Sequence, residues 1–303
     1  AVIDAIDDLR PATIRFATTS QPENVVVDID PPEVIDPVIG LIQVLGGDQQ
    51  AIATLISIAN HPEAAGGALT LFSSDFAHVI REDVEAQFGG TAIYYSGALG
   101  LMQTPDSGSY DDVMRLGKAY SRVVIDALNG AGDATCVQVK SVSNYQQVQI
   151  SNFEFYMGFL KGIIDGFEGY WYKEDTGVCS DFCCCDIPLT LIQFDDIMTW
   201  ISMPGEIVPE LVNGDFQPAI PAGGENADHE HEPFLEQFIT TEHRFIAGLC
   251  NVEIGYIFPY YQADVNNHFH QIHSSGPSVA SMVMEGYKHL FEQLNRVDKA
   301  EKH

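Results

Sequence analysis

ISIANHPEAAGGALTLFSSD, residues 56–75, opens as an apolar strand, halts at Asn60-His61-Pro62 and resumes before a Ser-Ser-Asp turn. Pro62 has no N–H and biases the preceding His61 towards extended geometry, so the strand ends with its imidazole held at a fixed rim. That is where a metal ligand or a catalytic base is commonly placed. A histidine that is merely hydrogen-bonded at a strand end has the same local pattern.

Upstream, Gly46-Gly47-Asp48 turns the chain into the strand Ala51 to Ala59. Residues 12–46, rich in Val, Ile and Pro around DIDPPEVIDP, predict short strands joined by extended turns. Residues 1–10 space Val2, Ile3, Ile6 and Leu9 on one helical face, with Pro11 as the stop. Downstream of Asp75, FAHVIREDVEAQFGG places Phe76, Val79, Ile80, Val84 and Phe88 at helical spacing before Gly89-Gly90. The strand TAIYYSGALG follows, then an amphipathic helix from Tyr110 to Leu128 with acidic residues in its first turn. Strand, helix, strand, helix in this order indicates an α/β core.

The second half changes character. CVQVKSVSNYQQVQIS and DIPLTLIQFDDIMTWISMPGE alternate as antiparallel strands do, with a two-residue turn at Asp195-Asp196. The fold class is therefore α/β, a mixed β-sheet core flanked by helices. Asn213 to Glu232 turns to Gly, Pro, Asp, Glu and His without periodicity and reads as a long mobile loop or lid. Ser278 to Leu294 forms the final helix. No repeat or linker divides the chain, so residues 1–303 are expected to form a single domain.

Of the 303 residues, 46% are hydrophobic and 19% charged, enough to bury a full core. Fourteen Lys and Arg stand against 43 Asp and Glu, a formal charge of -29 that repels phosphate backbones and anionic headgroups. Nucleic acid is thereby disfavoured as a partner. No run of 18 apolar residues offers a transmembrane segment, and AVIDAIDDLRPA lacks the basic and apolar regions of a signal peptide. Cys136, Cys179, Cys183, Cys184, Cys185 and Cys250 permit up to three disulfides, which suits a secreted, periplasmic or extracellular protein. A thiolate metal site is the competing reading. Three adjacent cysteines do not readily face one ion, and CxxC pairs are missing.

Three apolar strands end in a side chain able to bind a metal: His61, Glu206 after Met203-Pro204-Gly205, and Tyr256 in FIAGLCNVEIGYIFPYY. Imidazole, carboxylate and, less often, phenolate are donors suited to zinc. Glu206 equally suits a turn cap, and Tyr256 a half-buried aromatic with a satisfied hydroxyl. His229 and His231 in AGGENADHEHEP are candidates for a separate surface metal or for solvated loop charge.

Taken together, NHPE, SSDFAHVIREDVEAQFGGTAIYYSGALG, DDVMRLGKAYSRVV, MPGE and FIAGLCNVEIGYI resemble, in order and spacing, the neutral/alkaline ceramidase family. The resemblance implies the catalytic domain of that family and Zn2+ held by His61, Glu206 and Tyr256. It also implies hydrolysis of a ceramide-like N-acyl amide by metal-activated water. The family has one more zinc histidine, in a His-x-His-Ser-Gly-Pro motif before the segment that AVIDAIDDLRPATI resembles. That ligand is expected from an N-terminal fragment, since HQIHSSGP at His270 to Pro277 sits in a different element. The serine of the family's Gly-Asp-x-Ser-Pro motif is matched here by Thr104 in GLMQTPD, and its second active-site tyrosine falls at about His268. Thr104 either steadies an oxyanion or attacks as a nucleophile, or only caps the turn at Pro105; His268 stands where a proton donor is needed. The immunoglobulin-like domain that follows in many ceramidases is not expected within the sequence. These departures leave two alternatives, a hydrolase of a different amide or ester and a non-catalytic binding subunit.

Overall fold

The computed structural model describes residues 2–30, 33–68, 72–105, 108–135, 137–161, 169–171, 183–216, 230–263 and 269–301. Helix α1 (Val2–Asp7) is exposed and leads to β1 (Thr13–Ser20), β2 (Val27–Asp28), β3 (Val38–Leu45) and β4 (Ala51–Ile58). Then come α2 (Asp75–Phe88), β5 (Thr91–Ser96), β6 (Met102–Gln103), α3 (Tyr110–Gly130) and β7 (Asp133–Ala134). The second half holds β8 (Val139–Ile150), α4 (Phe153–Leu160), β9 (Gly169–Trp171), β10 (Cys183–Phe194), β11 (Met198–Ser202) and β12 (Glu206–Ile207). It closes with α5 (Glu210–Asn213), β13 (His243–Ala247), β14 (Tyr256–Ile257), α6 (Phe269–Ile272) and α7 (Val279–Glu301).

Two mixed sheets carry the fold. The first has the order β5-β4-β3-β1-β7 and the second β13-β11-β10-β8, with β9 beside β10. β4 and β5 are parallel, connected through α2, and β11 and β13 are parallel; the other pairs within the two sheets are antiparallel. Alternation along each strand divides its side chains between two layers. Phe16, Ile42, Met198, Phe245 and Ala247 meet between the sheets, whereas Ala17, Leu41, Ile56 and Ile58 belong to a core shared with Phe76, Val79 and Ile80 of α2. On the second sheet, Ile187, Leu189 and Leu191 join Val283, Tyr287 and Leu290 of α7 in that same core. The layers therefore run helices, sheet, sheet, helix, and the expected mixed sheet core is two facing sheets. Gly40 permits the close approach, since a Cβ there would lie 2.6 Å from the Arg244 carbonyl.

Local chemistry explains most boundaries. Ser109 caps α3 by accepting from the Asp112 N–H at 3.2 Å and donating to its carboxylate at 2.6 Å. Gly117 lets α3 lie on Val79 of α2. α7 runs beyond Leu294 because NRVDKAE contains neither Gly nor Pro to stop it. Phe194 pairs with Met198, so the turn at Asp195-Asp196 spans three residues, with Asp195 at φ 46°. β10 starts earlier than its alternation suggests, at Cys183, because β8 continues to Ile150 as its partner. Cys184 is disulfide-bonded, while Cys185 and Cys250 are thiols, so the six cysteines form at most two bridges instead of three. Among the described residues, no helix is long and apolar enough to cross a membrane. Most of the expected lid, residues 217–229, lies outside the described residues.

Candidate active site

The carboxyl ends of β4, β5, β11 and β13 converge, and glycines make the convergence possible. A Cβ on Gly97 would come within 3.1 Å of the Ala59 nitrogen, one on Gly248 within 2.4 Å of the Gly97 carbonyl, and one on Gly205 within 2.4 Å of the Gly255 carbonyl. Gly255 itself needs φ 80° and lies against the His273 carbonyl. This packing lays β12 parallel to β14 with Glu206 paired to Tyr256.

His61 enters from the end of β4. Its N–H donates to the Met102 carbonyl at 3.0 Å, its ring Nδ1 lies 2.6 Å from the same oxygen, and Nε2 lies 2.9 Å from Glu206 Oε2. A carbonyl only accepts, so Nδ1 carries a hydrogen. The facing Glu206 carboxylate also accepts, so Nε2 must hold a proton or address a cation. Burial by itself would lower the His61 pKa, but the Glu206 bond, the Met102 carbonyl and the charges of Glu206 and Glu63 raise it above the usual histidine value. The Tyr256 phenol, hydrogen-bonded to Glu206, is pushed up first by burial and then by the carboxylates Glu206, Glu63 and Glu253.

The donors converging here suit a zinc ion in kind. His61 Nε2, a Glu206 oxygen and the Tyr256 phenol are nitrogen and oxygen donors from three separate elements. Tetrahedral zinc holds such a nitrogen and oxygen about 3.4 Å apart, so the observed 2.9 Å would open by a few tenths of an ångström. The Nδ1 contact to a carbonyl is the outer-shell bond that fixes the tautomer of a metal-binding histidine. The residues fit. Among the described residues no group of three or more His, Cys, Asp or Glu is arranged around one ion, so a site here depends on the phenol as third donor.

Thr104 follows β6 by one residue, two positions beyond Met102, and is half-buried. His268 lies outside the described residues. His270, in the segment set apart from the family's histidine motif, is buried and faces Asp30 at 3.4 Å, with its ring against Phe258. That segment nevertheless touches the site, because the His273 carbonyl accepts from the Tyr256 N–H and the Phe269 ring packs edge-on to Tyr256. His231 stacks on Phe216, and His229 lies outside the described residues. Sequence reasoning missed three contributors. Met102 acts through its backbone and leaves no signal; Glu63 stands in plain view in NHPE; Glu253, whose carboxylate accepts from the Gly255 N–H at 2.6 Å, sits three residues before Tyr256. Beside α6 a cavity of about 390 Å³ is lined in part by Phe258, Ile272, Asn152 and Gly276, and exposed Phe153, Phe269 and Ile272 add apolar surface in the same region.

No protein-family profile matches the chain, and no curated protein matches it. Two facing mixed sheets with strand ends converging on His61, Glu206 and Tyr256 have the fold of neutral ceramidases, as structural comparison establishes. The crystal structure of the neutral ceramidase from Pseudomonas aeruginosa superposes with a TM-score of 0.64 at 12% identity, covering 97% of this chain and 54% of that one. A ceramidase complexed with C2 gives 0.65 at 13% identity, with 96% and 55% coverage. The chain spans about half the length of these proteins.

Proposed function

We propose that this protein is a zinc-dependent hydrolase of a ceramide-like N-acyl amide, with His61, Glu206 and Tyr256 as metal ligands. The observation that carries the reading is the His61 ring, fixed by the Met102 carbonyl so that Nε2 meets Glu206 where only a proton or a cation can sit. Bound there, zinc would polarise the amide carbonyl and make hydroxide available near neutral pH. His61, Glu206 and the Tyr256 oxygen would hold the ion, and the Met102 carbonyl keeps the imidazole in the tautomer that presents Nε2 to it. Thr104, close along the chain to Met102, is assigned to the developing oxyanion and His268 to protonation of the leaving amine. The apolar surface around α6 and its cavity suits an acyl chain. A further histidine from a preceding segment or fragment would complete the ligand set. The Cys184 disulfide fits an oxidising, extracytoplasmic setting.

The deciding experiment titrates zinc into the purified protein and measures hydrolysis of a fluorogenic N-acyl sphingoid amide, with an N-acyl amino acid and an acyl ester as comparators. Stoichiometric zinc and amide cleavage, both lost in His61→Ala, are expected. Turnover that survives chelation and His61→Ala would overturn the mechanism. Cleavage of the ester alone would move the assignment to a different hydrolase, and zinc without cleavage of any substrate to a binding subunit.

A further inference from the structure

The Ser-Ser-Asp turn that closes residues 56–75 has no part in the metal reading. Asp75 is only 5% exposed and holds φ at 53°, a left-handed conformation that L residues adopt at a cost. Its carboxylate collects three backbone donors in return. Oδ1 accepts from the Ala64 N–H at 3.0 Å and the Phe76 N–H at 2.8 Å, and Oδ2 from the Ala65 N–H at 2.8 Å. Its own N–H donates to Ser73 Oγ at 3.0 Å. A helix cap satisfies donors of its own first turn. Here two of the three belong to the loop that begins at His61, where Ala64 and Ala65 are buried and water cannot replace the carboxylate.

That loop is short and closed on itself. The Glu63 N–H donates to the His61 carbonyl at 2.9 Å, and the Gly66 N–H to the Glu63 carbonyl at 3.0 Å. One end is held by the Met102 carbonyl through both the backbone and the ring of His61. The other end has Asp75.

We infer that Asp75 is a positioning residue for His61: by clamping Ala64 and Ala65 onto the start of α2, it fixes the loop that aims the imidazole at Glu206. Its consequence for zinc rests on the proposed function, whereas its consequence for the ring does not. The test compares Asp75→Ala and Asp75→Asn with Val84→Ala, a core truncation in α2 that serves as a stability control. In the metal-free chain, the 15N shifts of the His61 ring and amide hydrogen exchange at Ala64 and Ala65 are recorded. Zinc Kd is then measured for each protein.

Asp75→Ala should speed exchange at Ala64 and Ala65 by at least 100-fold and move the His61 ring shifts. It should also raise the zinc Kd at least tenfold beyond any change in Val84→Ala. Asp75→Asn keeps one acceptor oxygen and tolerates the left-handed φ, but turns an NH2 towards the Ala65 N–H. Ring shifts should return most of the way to wild type, with Ala65 remaining fast. Ring shifts in Asp75→Ala no different from those in Val84→Ala would overturn the inference. So would unchanged Ala65 exchange in Asp75→Asn, which decides the matter if the alanine variant does not fold. Ring shifts that depend on Asp75 in a wild-type protein that binds no zinc would overturn the metal reading and leave the positioning role standing.

Discussion

Glu206 and Glu210 lie four residues apart on one short segment, and their carboxylates are housed in opposite ways. Glu206 faces the His61 ring at 2.9 Å and the Tyr256 phenol, so its charge has a place to act. Glu210, 3% exposed, accepts from the neutral Gln262 side chain at 2.7 Å through one oxygen and, among the described residues, has no hydrogen-bond partner for the other. Burial, with the charges of Asp28 and Asp30 nearby, pushes its carboxyl up to about 7. The difference teaches that burial alone does not make a site. A buried carboxylate becomes useful when a cationic or metal-competent partner is aimed at it, and otherwise it keeps a proton.

The largest test removes the charge at Glu206. Glu206→Gln should lower amide hydrolysis by at least 1,000-fold and abolish tight zinc binding, measured by steady-state kinetics and metal titration. Activity within tenfold of wild type would mean that the pairing with His61 is only structural. If His61 binds zinc as proposed, the metal must displace a proton whose pKa is raised, so zinc affinity should fall as pH drops through the histidine range, and isothermal titration at several pH values should detect it.

A third carboxylate calibrates stability. Asp36 is buried against Arg244 in a two-pronged contact at 2.5 and 3.0 Å. Arg244→Met should cost about 3 kcal/mol in denaturant unfolding at neutral pH, because it strips the buried Asp36 of its counter-charge. Glu210→Gln should do the reverse. The native state holds the Glu210 proton above its ordinary 4.5, so wild-type stability falls as pH rises from 4.5 to about 7. The variant should be more stable by roughly 2 kcal/mol at pH 8 and nearly equal at pH 4, and parallel curves would refute the protonated carboxyl. Smallest is Ser109→Ala, expected to cost about 1 kcal/mol through the lost cap of α3.

Much of the first half was legible because its periods are clean. The helix after Asp75 and the helix from Tyr110 were found from their apolar spacing and their Gly or acidic borders, and the strand Ala51–Ala59 from its run. The Cys183–Cys185 part of β10 was not, since a run of cysteines carries no strand period and the strand there is set by pairing with β8. For the site, His61, Glu206 and Tyr256 could be named from strand ends, but Met102 could not, because a carbonyl oxygen is the same on every residue. Asp75 was visible only as a turn residue; its three acceptor bonds appear once the loop folds back on α2.

By itself the sequence determined the local elements, the acidity and the three strand-end side chains, because periodicity, capping and charge are written residue by residue. Tertiary structure alone decided that two sheets face each other, that glycine contacts bring those ends within hydrogen-bonding distance, and that Glu206 meets a histidine while Glu210 does not. Those outcomes depend on distances between residues more than a hundred positions apart, as between His61 and Glu206, and on backbone atoms that carry no identity in the sequence.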